Sequence, residues 1–238
     1  MEFRSQTQCL GLSLILLAAP LAAEVLELGA AHGRWGARAE GVLRLDGDGF
    51  AFASEAKRRR FRWRWQEIQR LELLRDRIVV TGYRDRGLVR FYADERAEFR
   101  FTGTPPVESL YSFLEPRMDE RLIARIALPP RQELWRIGVK RLRKGRGAQG
   151  ELIVEPARIL FVAQGRGESR VWRDSEIDLI SSSGPHQLSL TAREPDTHYD
   201  FLLKQALDPK RYDELWLRLH RARGLALLEN QPTKETER

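Results

Sequence analysis

Residues 58–68 read Arg-Arg-Arg-Phe-Arg-Trp-Arg-Trp-Gln-Glu-Ile, with Phe61, Trp63 and Trp65 alternating with Arg60, Arg62 and Arg64. A period of two predicts a strand with one apolar and one wet face. Shorter runs flank it. Val42, Leu43 and Leu45 predict a strand, and Phe50 with Phe52 its return. Asp46-Gly47-Asp48-Gly49 between them predicts a turn in which glycine is free to take positive φ. Leu71-Glu72-Leu73, Ile78-Val79-Val80-Thr81, and Phe99 with Phe101 predict further strands. A helix follows, with Thr104 as N-cap, Pro105 at its first position and Val107, Leu110 and Leu114 on one stripe; Pro116 limits its run.

The same order then recurs. Trp172, Arg173, Glu176 and Ile177 match Trp63, Arg64, Glu67 and Ile68 at one offset (172 − 63 = 109), and Gly150, Ile159 and Phe161 match Gly41, Phe50 and Phe52 at the same offset. Register-true identities that include the rare Trp and a Glu-Ile pair predict a duplicated unit of roughly 100 residues. Glu155-Pro156-Ala157-Arg158 is the turn of the second copy, and Leu188 and Leu190 match Ile78 and Val80. Tyr199 and Phe201 match Phe99 and Phe101 only after the offset falls by about ten, so the first copy is expected to carry a longer hairpin within residues 83–98. Asp208-Pro209 predicts the start of a second helix with Tyr212, Leu215, Trp216 and Leu219 on its stripe and Gly224 placed to end it.

Between the copies, Leu122, Ile123, Ile126 and Leu128 precede Pro129-Pro130, an apolar connection expected to pack the two units together. The N-terminus carries Arg4, an apolar run from Cys9, and Ala18-Ala19-Pro20-Leu21-Ala22-Ala23, the pattern of a secretory signal cut after Ala23. Its apolar run of about 15 residues falls short of the roughly 20 that span a bilayer. The expected division is therefore a signal peptide over 1–23, a first domain over 24–118, a connection over 119–134, a second domain over 135–228 and a polar, disordered tail over 229–238. The expected location is periplasmic or secreted, with an uncleaved N-terminal anchor as the alternative. Cys9 is the single cysteine and lies in the signal, so the mature chain is left without a disulfide, a thiolate nucleophile or a cysteine-ligated metal.

Charge sharpens this picture. The chain has 238 residues, 32% of them charged, with a formal net charge of +7. Such a balance attracts polyanions: acidic lipid headgroups, glycans, acidic proteins or nucleic acid. Export argues against nucleic acid.

Short strands with hairpin spacing, closed by one amphipathic helix and occurring twice, resemble the pleckstrin-homology-like superfold, including the bacterial PH-like and GRAM-like domains. The residues that carry the resemblance are the turn before an aromatic strand (Phe50, Phe52; Ile159, Phe161), the Trp-x4-Ile strand (Trp63, Ile68; Trp172, Ile177) and the capped helix. It implies a mainly β, α+β chain of two tandem, partly open barrels, each capped by its C-terminal helix. A single larger barrel or sandwich built from both halves is the competing architecture.

Chemistry is sparse. His32, His186, His198 and His220 lack metal-ligand spacing, and no residues stand in a catalytic constellation. Asp196-Thr197-His198-Tyr199-Asp200 reads as a hairpin rim, and Trp63, Trp65 and Trp172 read as core residues. No catalytic residue, metal or cofactor is therefore expected. Two basic clusters remain as candidate anion-binding sites: Arg58, Arg59, Arg60, Arg62 and Arg64, and Lys140, Arg141, Arg143, Lys144 and Arg146. Forked guanidinium contacts suit phosphate or carboxylate groups; the bland alternative is edge charge that keeps strands from pairing with other chains. The expected function is an exported, non-enzymatic binding or scaffold protein engaging an anionic lipid or glycan surface or an acidic protein. The alternatives are a protein-protein module indifferent to charge, or an enzyme with its site at the domain interface.

Overall fold

The computed structural model describes residues 25–33, 38–54, 59–85, 94–143, 147–165, 167–194 and 198–229. The expected signal peptide, residues 1–23, and residues 230–238 of the expected tail lie outside them. The first half runs β1 (Leu26–His32), β2 (Ala39–Leu45), β3 (Gly49–Ser54), β4 (Arg59–Arg64), β5 (Ile68–Leu74), β6 (Arg77–Asp85) and β7 (Asp94–Phe101), then α1 (Val107–Met118). A short strand, β8 (Leu122–Arg125), follows. The second half runs β9 (Trp135–Leu142), β10 (Ala148–Val154), β11 (Arg158–Ala163), β12 (Arg170–Arg173), β13 (Ile177–Gly184), β14 (Gln187–Ala192) and β15 (His198–Leu203), then α2 (Pro209–Glu229).

The chain is mainly β, and its strands join in one 15-stranded sheet. Either side of β8 the order is the same, β5-β6-β7-β1-β2-β3-β4 and β13-β14-β15-β9-β10-β11-β12. The sheet is continuous because the connection supplies a strand. β8 lies parallel to β5 from Leu71↔Leu122 to Leu74↔Arg125, and it meets β12 at Val171↔Ala124. Two edges that separate barrels would leave free are thereby joined.

Two apolar cores lie along this sheet. One gathers Leu43, Phe50, Phe52, Trp63 and Phe99 under Leu110 and Leu114 of α1. The other gathers Ile159, Phe161, Trp172, Tyr199 and Phe201 under Leu215 and Leu219 of α2. Each such side chain contributes about 1.5–3 kcal/mol when fully buried. Ile153, Leu160 and Val171 belong to the first core although they sit in the second half, while their neighbours Leu152, Ile159, Phe161 and Trp172 belong to the second. Strands β10 and β11 are thus buried on both faces. That is why Leu152-Ile153-Val154 and Ile159-Leu160-Phe161-Val162 read as unbroken apolar runs, whereas β3 alternates.

The matched glycines have a steric reason. A Cβ on Gly41 would lie 2.0 Å from the Ala53 carbonyl oxygen, and one on Gly150 would lie 2.2 Å from that of Val162. The turn glycines are free to take positive φ, but among the described glycines only Gly33 and Gly165 have it. Asp46 makes the turn instead, its Oδ1 accepting from the backbone amides of Asp48 and Gly49 at 3.0 and 3.1 Å. Gly49 is needed because a Cβ there would lie 2.0 Å from the Trp63 carbonyl oxygen.

Helix ends differ from expectation as well. Pro106, not Thr104, precedes α1, and the helix passes Pro116 to reach Met118. The missing proline amide frees one carbonyl near the helix end, where intrahelical bonding is ending in any case. Asp119, at φ 43°, turns the chain out of the helix. Asp208 caps α2 through the Lys210 amide at 2.9 Å, but α2 continues past Gly224 to Glu229, so the expected tail start at 229 is helical. A single glycine costs a helix only about 1 kcal/mol. No helix among the described residues is long and apolar enough to cross a membrane.

Candidate functional site

Each half turns a corner where its fourth strand enters a 3-10 turn, Trp65–Glu67 in the first and Asp174–Glu176 in the second. Both corners carry a cleft. The first encloses about 650 Å³ and is lined by Gly47, Asp48, Arg62, Arg64, Trp65, Gln66 and Arg121. The second, about 380 Å³, is lined by Pro156, Ala157, Arg173, Asp174 and Ser175, which match Gly47, Asp48, Arg64, Trp65 and Gln66. Its other walls include Glu115 of α1 and Arg131 and Gln132 of the connection.

The first cleft is cationic. Strand alternation puts Arg60, Arg62 and Arg64 on the exposed face, while Trp63 is buried and Phe61 and Trp65 are half-buried. Of the first expected cluster, Arg58 lies outside the described residues, as does the Arg59 side chain. Arg60 and Arg62 have no carboxylate within ion-pair distance among the described residues. Trp65 forms the cleft wall, its Nε1 donating to the carbonyls of Asp46 and Gly47, both at 3.1 Å. Glu67 accepts from the Arg64 amide at 2.9 Å. That hydrogen bond is the leading cause of a carboxyl pKa below its ordinary value, with the charges of Arg84 and Arg64 adding to it.

Arg121 completes the cleft, and sequence reading missed it because it comes from the connection, 56 positions beyond Trp65. Its Nη1 donates to the carbonyls of Trp65 and Ile68, both at 2.9 Å, and its Nε to Asp119 at 3.1 Å. It holds the corner's carbonyls, and its Nη2 also donates to the second Asp119 carboxylate oxygen at 3.3 Å, so its charge is paired there.

The second basic cluster is not gathered on one face. Lys140 is exposed, whereas Arg141 is buried with its guanidinium 4.4 Å from the Tyr199 ring centroid, and burial pulls its pKa below the ordinary value. Arg143 pairs with Glu168 at 3.2 Å. Lys144 and Arg146 lie outside the described residues.

A buried ionic group sits where the halves meet. Arg170 donates to Glu176 at 3.0 Å, to Glu194 at 3.3 Å and to the carbonyl of Ala124 at 3.1 Å. Glu194 also accepts from Trp172 Nε1 at 3.3 Å and from the Tyr199 hydroxyl, and Arg125 of β8 lies 3.9 Å away. Arg125 reaches back to Glu72 of β5 at 3.8 Å. The signal available in the sequence was Arg170 standing where the first copy has Phe61.

The remaining candidates stay apart. His198 bonds Thr191 at 3.1 Å, and Asp200 accepts from Ser189 at 2.6 Å, both on the exposed face of β15. His32 packs edge-on against Phe61, and His220 against Trp216. No group of three or more His, Asp or Glu among the described residues is placed to hold a metal.

No protein-family model matches this chain, and no curated protein sequence does. Two solved structures share loose likeness. The C-terminal domain of an unknown protein from Leishmania infantum is 14% identical, over 48% of this chain and 97% of that one, with a TM-score of 0.31. The Spt16D Pob3N heterodimer is 12% identical, over 71% of this chain and 82% of that one, with a TM-score of 0.32. At these values neither bears on function.

Proposed function

We propose that this protein is an exported, non-enzymatic binding or scaffold protein of two PH-like units, whose first-half cleft holds an anionic group of its partner. The signal-like leader supports export, and the twice-used strand order with a closing helix supports the PH-like reading. The observation that carries the binding role is the 650 Å³ cleft lined by Arg62, Arg64 and Arg121. The guanidinium forks of Arg62 and Arg64 at one concavity suit phosphate or carboxylate oxygens two at a time, and a low-dielectric wall such as Trp65 strengthens the attraction. The expected partner is an acidic envelope surface or an acidic protein.

The test is co-sedimentation with anionic and neutral vesicles over a salt series, comparing wild type with Arg62→Glu/Arg64→Glu. Binding to anionic vesicles alone, fading as salt rises through about 0.15 to 1 M and lost in the variant, is the expected result. Equal behaviour of the two proteins sinks the proposal.

A further inference from the structure

The two clefts are the same place in two copies, but they differ in what fills them. In the second half the corner arginine, Arg173, holds the C-terminal end of the first half's helix. Its Nη1 donates to the Glu115 carbonyl at 3.2 Å, its Nη2 donates to the Asp119 carbonyl, and its Nε is anchored on Glu176 at 2.5 Å. A guanidinium at a helix C-terminus meets unsatisfied carbonyls and the negative end of the helix dipole. The first half presents the same apparatus: Arg64 stands at the position of Arg173, and Glu67 stands at that of Glu176. Among the described residues no helix-end carbonyl is bonded to the Arg64 guanidinium, and α1 meets this cleft only through Arg121, three residues past its end.

We infer that the Arg64 cleft receives the C-terminal end of α2 from a second copy of this chain, head to tail, as the Arg173 cleft receives the end of α1 within the chain.

Three observations choose that occupant. Helix α2 is the counterpart of α1, following the last strand of its seven and packing its core with Leu215 and Leu219 as α1 does with Leu110 and Leu114. Beyond its second core leucine it runs from Leu219 to Glu229, whereas α1 runs only from Leu114 to Met118, so its end projects about 9 Å further at 1.5 Å per residue. Charge is complementary, since Arg62 and Arg64 line the cleft and α2 has no basic residue in its last turn. An added strand fits the first corner less well. Position 171 is Val where β8 covers the edge of β12, but its counterpart is Arg62, and arginines along an open edge oppose strand pairing. Such a contact joins unlike surfaces, so it leaves one cleft and one helix end free at each addition.

The inference rests on the cleft being a site for negatively charged groups. Its test is sedimentation of the full chain over a concentration series, with Arg64→Glu as the cleft variant and a chain ending at Gly224 as the helix-end variant, each checked for wild-type circular dichroism and melting. Should the truncated chain fail that check, a chain with a folded domain fused after Arg238, which blocks the end by bulk, takes its place. Wild type is expected to pass two chains in mass as concentration rises, and each variant is expected to stay at one. Mixed in equal amounts, the two variants are expected to form a two-chain species and nothing larger, because one intact cleft and one intact helix end remain. The Arg64→Glu change is expected to weaken self-association about tenfold or more. A wild type that stays at one chain, an Arg64→Glu variant that associates like wild type, or folded variants that fail to complement would each overturn the inference. A one-chain protein that still sediments with anionic vesicles through Arg62 and Arg64 overturns head-to-tail docking alone and leaves the anion-binding reading standing.

Discussion

The two corners share a backbone and differ in their covering, and their side chains follow the covering. At the first, Trp65 packs on Phe113 of α1, with ring centroids 6.2 Å apart. At the second, the matching residues are Asp174 and Arg218, joined at 2.9 Å, with Arg218 also donating to the Glu155 carbonyl at 2.6 Å. An aromatic pair in one copy is an ion pair in the other, both tying helix to corner. Arg62 becomes Val171 where β8 covers the edge, and Phe61 becomes Arg170 where a second core and two carboxylates surround it. The repeated strand order keeps the corner, and the side chain at each position suits its own neighbourhood.

This contrast is open to direct attack. The largest effect is expected at Arg170. Replacing it with Met leaves Glu176 and Glu194 buried with less compensation, a loss of about 3–5 kcal/mol in urea unfolding. A loss below about 1 kcal/mol would mean that the ionic group contributes little to holding the halves.

The matched glycines come next. Gly41→Ala and Gly150→Ala each drive a methyl against a backbone carbonyl, and each is expected to cost about 1–3 kcal/mol. Their costs should be similar, since the steric reason is the same; a large difference would show that the two halves of the sheet yield differently.

The corner arginines give the sharpest test. Arg173→Ala removes bonds to two helix-end carbonyls and is expected to cost about 1–2 kcal/mol. Arg64→Ala removes an exposed charge and should stay within about 0.5 kcal/mol in the dissociated chain. Equal costs would erase the distinction between a filled and an open corner.

The smallest effect is acid sensitivity at the second corner. Burial pushes the Glu155 carboxyl up, but the Arg158 hydrogen bond, the Arg131 amide at 2.5 Å and the charge of Arg158 outweigh it, and its pKa lies below the ordinary 4.5. A depressed folded pKa contributes stability that is present above pH 4.5 and lost as pH falls through the folded value. Glu155→Gln should therefore be less stable than wild type at neutral pH and lose less on acidification. Unfolding curves at a series of pH values measure this, and parallel pH profiles would remove Glu155 from the account.

Much of the fold was legible because it is written in short-range periodicity. The alternation at Phe61, Trp63 and Trp65 marked β4 and its exposed arginines, and the 109-residue offset located the counterparts of Trp63, Glu67 and Gly41. Half of the cleft was readable in the same way, from Arg62 and Arg64. Arg121 was not, since a residue in a connection announces no partner 56 positions away. Nor was the burial of Arg141, whose alternation with Lys140 was masked by their shared charge.

The sequence by itself determined most of the strands, the closing helices and the repeat, because these depend on the spacing of apolar residues along a few turns or pleats. Only the tertiary structure decided that β8 would join two edges into one sheet, that Arg170 would be buried among carboxylates, and that Arg173 would hold a helix end while Arg64 at the twin corner holds none. Those outcomes depend on which surfaces meet, and residues far apart in the chain carry no local mark of their meeting.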